Sequence, residues 1–132
     1  MAVDVERAEF ESVLSWLDHE QRLLEILAYR IDGLTAILST GQHRMVCQSA
    51  SEVEDVRDQL ANAAVRRDLV VLNLTGSRST LMNLGELSAG ATSSQQLAAE
   101  EVRQKLALAA GEVEVAQERC RLAAAAYRPT AA

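Results

Sequence analysis

His43 and Cys47 come nearer to metal chemistry than any other pair in this chain. Four apart on a helix, they share one face, and an imidazole nitrogen beside a thiolate sulfur is a combination that zinc accepts. A closed zinc site needs two more ligands. Cys120 is expected at a similar height, because Cys47 and Cys120 each lie roughly 25 residues, or about 40 Å, from the crossover end of their helices. His19 is far from His43 along the first helix and does not complete the set. Three ligands without a fourth make no cage, so the expectation is no metal and no cofactor, only a small buried thiol and a solvated imidazole. A regulatory disulfide between Cys47 and Cys120 is the other use open to these residues.

Other catalytic patterns are missing from the sequence. There is no G-x-S-x-G elbow and no H-E-x-x-H, and "LTGSRST" has one Gly and no Lys, so it is no phosphate loop. The acids are spread along helix faces in i,i+4 pairs such as Asp18–Arg22, rather than converging on one point. No catalytic residue is assigned, and the chain does not read as an enzyme.

The elements that position these residues follow from composition and period. The 132 residues are 48% hydrophobic but only 3% aromatic, with a single proline, Pro129. A core of Leu, Val, Ile and Ala with so few turn-formers points to an all-α domain. Net charge is −6. Residues 1–68 hold thirteen acids and seven Arg, and residues 69–132 hold six acids and six bases, so the acid excess lies in the first half. No basic stripe is available for nucleic acid. No run of apolar residues is long enough to span a bilayer. "MAVDVERAEF" lacks the basic-then-apolar order of a signal peptide, which leaves a cytoplasmic location as the expectation.

Stepping by three and four from Phe10 gives Phe10, Val13, Leu17, Glu20, Leu24, Leu27, Ile31, Leu34 and Leu38, all apolar except Glu20. That 3.5-residue period predicts one long helix, about residues 4–39, with Asp4 as its N-cap and Gly41 as the residue that ends it. A second apolar line, Trp16, Leu23, Ile26 and Ile37, predicts contact with two neighbouring helices. Val46, Val53, Val56, Leu60, Ala63, Val70 and Leu74 share a face and predict a second helix over about 43–73. The capping boxes Ser49-x-x-Glu52 and Ser51-x-x-Glu54 are then only a local irregularity within it. "DLVVLNL" has no strand partner and stays helical. Residues 74–92 form a Gly/Ser/Thr-rich crossover, in which Ser79 and Thr80 could cap a short helix with Leu81, Leu84 and Leu87 inward. Val102, Leu106, Ala109, Val113, Ala116, Cys120, Ala123 and Tyr127 predict a third long helix, about 93–127, with a seam of small residues. Gly111 in its middle costs roughly 1 kcal/mol against Ala, tolerable if neighbours pack tightly there. The sum is one domain, an elongated antiparallel bundle of three long helices with a short helix in the crossover.

The last helix carries a second line. Leu108, Val115 and Leu122 repeat every seven residues, roughly 130° from the seam at 100° per residue. Ala107, Ala110 and the run Ala123–Ala126 would let a partner's backbone come close. Either these three are ordinary exposed residues or are covered by the crossover, or they form a groove for a partner helix.

A leucine-rich helix ending in Leu-Ser-Thr-Gly is followed by "GQHRMVCQSASEVEDVRDQL", then "DLVVLNL", the "STLMNLGEL" segment and a long final helix. This order of local signals resembles the FlgN family of flagellar export chaperones. The likeness spans residues 10–127. It implies a cytoplasmic protein that binds the helix-forming C-terminal tails of hook–filament junction (hook-associated) proteins and delivers them to type III export. The client would lie along Leu106 to Tyr127, with Leu108, Val115, Leu122, Ala126 and Tyr127 as partner-binding residues. The export apparatus is a further expected partner, and monomer and dimer both remain open. The alternative is a structural coiled-coil adaptor or a homodimer using the same line for itself.

Overall fold

The computed structural model describes residues 2–75 and 93–128. Three α-helices make up nearly all of this: α1 (Ala2–Leu38), α2 (His43–Thr75) and α3 (Ser93–Ala126). Among the described residues there is no strand. Residues 79–87, where a short helix is expected, lie outside the described residues.

The helix ends differ a little from the sequence reading. Asp4 lies inside α1 rather than capping it. Acidic residues so near a helix start are favoured by the positive end of the dipole and need not stop the helix. α1 ends in a layer of hydroxyls. Ser39 Oγ donates to the carbonyls of Thr35 and Ala36 at 3.2 and 2.9 Å, and Thr40 Oγ1 donates to Ile37 O at 2.7 Å. Gly41 then takes φ 72°, a left-handed turn in which an L side chain would be strained. α2 runs unbroken through both capping-box serines, and Ser49 is buried in its contact face. α3 stops one residue before Tyr127, since Arg128 precedes Pro129 and such a residue is pushed out of helical geometry.

α1 is the centre of the structure. α2 and α3 each pack along it and scarcely touch one another. One core cluster joins Leu27, Ala28 and Ile31 of α1, Val53 and Val56 of α2, and Val113 and Ala116 of α3. A second joins Phe10, Val13 and Leu17 to Ala99. The 3.5-residue line of α1 therefore serves both neighbours, which is why it is so wide. In the second apolar line Leu23 is buried, and half-buried Trp16 lies 5.9 Å beneath the Arg66 guanidinium. Ile26 falls outside both interfaces and is exposed.

The small seam of α3 is a packing device. Ala99, Ala109 and Ala116 are buried and bring its backbone close to the larger side chains of α1. Gly111 is not part of this. A Cβ built there meets nothing within 4 Å, and the same holds for Gly33 in α1. Gly111 has no tightly packed neighbours because it lies on the side of α3 opposite the seam, between Leu108 and Val115. Gly111→Ala should therefore raise stability by about 0.5–1 kcal/mol, the helix-propensity difference, read as a higher urea midpoint with unchanged slope. A lower midpoint would mean that something else fills the space.

Candidate functional site

The sequence-derived residues fall into two groups. Leu108, Val115 and Leu122 are 68%, 53% and 57% exposed on the outward face of α3. Ala126, also exposed, continues their line at the end of the helix. Tyr127 does not join them. It lies roughly 100° further round the helix axis, is half-buried, and places its hydroxyl 3.4 Å from His43 Nδ1 at the start of α2.

One residue of this face was missed. Leu97 is 65% exposed and lies eleven residues before Leu108. Eleven residues are just over three whole turns, so Leu97 extends the line toward the start of α3. The signal was in the sequence, but a search by sevens passes over it. From Leu97 to Leu122 the line is about 38 Å long at 1.5 Å per residue. Charged residues border it. Arg119 reaches back to Asp32 of α1 at 3.6 Å, and Glu118 takes two hydrogen bonds from Arg121, which hold its carboxyl below the usual range. The side of α3 facing α1 is meanwhile committed to the core through Ala99, Ala109, Val113 and Ala116.

Interior chemistry centres on Glu20. It stands in the apolar line of α1 between the two core clusters and is only 6% exposed. Arg67 of α2 answers it, with Nη1 donating to both carboxylate oxygens at 2.9 Å. Arg67 Nε also donates to Asp68 at 3.2 Å. Burial raises the Glu20 pKa above its ordinary value; the charge and hydrogen bonds of Arg67 oppose that, and Asp68 adds to it. A carboxyl whose folded pKa is raised binds its proton more tightly in the native state than when unfolded. Its contribution to stability is therefore complete below about pH 4.5, the unfolded value, and is lost as pH rises through the folded one. Urea denaturation across pH 3.5–8 should show wild type losing stability relative to Glu20→Gln as pH rises through that window. A difference that grows in favour of wild type would contradict the raised pKa.

The cysteines correct a sequence expectation. Cys47 is exposed rather than buried, and Cys120 is half-buried against the larger core cluster. Cys47 lies six residues from Val53, roughly 120° away from the face that α2 turns to α1. Both thiols are free. His43 is exposed as expected, but it is not simply solvated, since its Nε2 lies 3.6 Å from Cys47 Sγ.

Among the described residues no helix is long and apolar enough to cross a membrane. Compared with known proteins, the chain matches no family model, no curated protein and no solved structure.

Proposed function

We propose that this chain is a cytoplasmic flagellar export chaperone of the FlgN type. It holds the helix-forming C-terminal tails of hook-associated proteins along α3 and keeps them unassembled until type III export. One observation carries the reading: Leu97, Leu108, Val115 and Leu122 form an exposed line on a helix whose opposite side is already packed. An unsatisfied apolar line of this length, bordered by charge, suits an amphipathic partner helix. A disordered tail that folds on binding spends part of its interaction energy on ordering, which keeps the complex releasable.

In this reading the bundle is antiparallel, with α2 running against α1 and a short helix in the crossover. The ion pairs Glu20–Arg67 and Arg30–Glu52 support the first point, because residue numbers fall along α2 as they rise along α1. The Ser79-Thr80 and Leu81, Leu84, Leu87 pattern supports the second. The acidic first half faces the export apparatus, and neither nucleic acid nor membrane insertion plays a part.

A second reading is favoured by the same seven-residue spacing: the line pairs with itself in a homodimer or coiled-coil adaptor. Titrating the full chain with a synthetic C-terminal tail of a hook–filament junction protein separates the two. Saturable binding, with more helix by circular dichroism than the sum of the parts, supports the chaperone. A stable dimer that Val115→Asp converts to monomer, with no tail binding, supports the adaptor.

A further inference from the structure

We propose that His43 and Cys47 form one half of a zinc site that is completed by the same two residues of a second copy of this chain. The first ground is distance. Tetrahedral zinc with a sulfur near 2.3 Å and a nitrogen near 2.0–2.1 Å holds those two atoms roughly 3.5 Å apart. Cys47 Sγ and His43 Nε2 are 3.6 Å apart in the folded chain, so zinc can enter without moving either side chain far.

The second ground comes from the other end of the sequence. Tyr127, just beyond α3, brings its hydroxyl to 3.4 Å from His43 Nδ1. When Nδ1 carries the ring proton and donates it to the phenol oxygen, the lone pair of Nε2 is left pointing toward Cys47. Zinc-binding histidines are oriented in this way, by a partner on the nitrogen that does not bind metal. The i,i+4 spacing alone does not provide this; the meeting of the start of α2 with the end of α3 does.

The third ground is ligand number. Among the described residues no group of three or more His, Cys, Asp or Glu is placed to hold a metal ion, so one chain offers two ligands where a closed site needs four. Both side chains are exposed at the end of the bundle beside the α1–α2 turn. A two-fold axis near Cys47 sets the pair against itself and gives two sulfurs and two nitrogens. Each thiol releases its proton to solvent as the metal binds, and two thiolates balance the charge of one Zn²⁺.

The test uses the full chain kept reduced with a phosphine, so that no disulfide dimer forms. Sedimentation velocity is run in EDTA and with added Zn²⁺, and bound zinc is measured after desalting. The expected result is a zinc-dependent dimer with one zinc per two chains, reversed by EDTA. Cys47→Ser and His43→Gln should each abolish it, and Cys120→Ser should leave it intact. Tyr127→Phe should weaken zinc binding about tenfold, the lower end for loss of an orienting partner. Circular dichroism checks that each variant folds. A chain that stays monomeric in zinc, binds one zinc per chain, or dimerises equally well as Cys47→Ser overturns the proposal. A dimer built on the apolar line of α3 is told apart by forming in EDTA and losing nothing as Cys47→Ser, so the zinc-dependent step and the bound-zinc ratio are the quantities scored.

Discussion

Arg67→Ala is expected to lower stability by about 3–5 kcal/mol at neutral pH, the usual cost of stranding a buried charge. The Glu20 carboxylate would remain in the apolar line of α1, between Leu17 and Leu24, without the guanidinium nitrogen that donates to both its oxygens. It can escape only by taking up a proton, so the loss should shrink as the solution is made acidic. The converse change costs less. In Glu20→Leu the guanidinium is left, but Arg67 is already 17% exposed and its long side chain can carry the charge toward water. Replacing both, with Glu20→Leu and Arg67→Met, should return stability to the wild-type level or above it, since a packed apolar pair often equals a buried ion pair. Urea denaturation of the four proteins at pH 7 closes the cycle. If Arg67→Ala costs under 1 kcal/mol, water must reach Glu20 and the interior is looser than described.

The line on α3 should behave in the opposite way. Leu108→Asp combined with Leu122→Asp is expected to change fold stability by less than about 1.5 kcal/mol, mostly through the weaker helix propensity of Asp. Both side chains already face water, so no buried contact is lost. Binding of a hook-junction tail should fall by at least 2 kcal/mol, or about 30-fold, because a few apolar anchors dominate such interfaces and two of them are lost. Leu97→Asp should have a smaller effect, since it removes one anchor rather than two. Calorimetric titration beside thermal denaturation reads both quantities. Unfolding of the double variant would place these leucines in the core, and unchanged binding would move the client elsewhere.

Much of this was legible in the sequence. The period of α1 located its contact face from Phe10 to Leu38, since a helix that packs lengthwise must repeat its apolar residues along one line. Gly41 marked the turn because a left-handed residue there favours glycine. The line of Leu108, Val115 and Leu122 was visible apart from the seam, but whether the crossover or a neighbour covered it was open until the structure placed all three in solvent. Glu20 was visible as the one polar residue in its line, but its partner lies 47 residues away, and no local rule reaches that far.

What the sequence determined by itself was therefore one-dimensional: three long helices, where two of them begin and end, and which side of each is apolar. Those properties come from hydrogen bonds and burial repeated over a few residues. Only the tertiary structure decided which faces meet. It set Arg67 against Glu20, left Cys47 in solvent and brought Tyr127 to His43, because these depend on the register and rotation of whole helices. Register is fixed by the summed packing of two clusters spread along the bundle, and no short stretch of residues contains that sum.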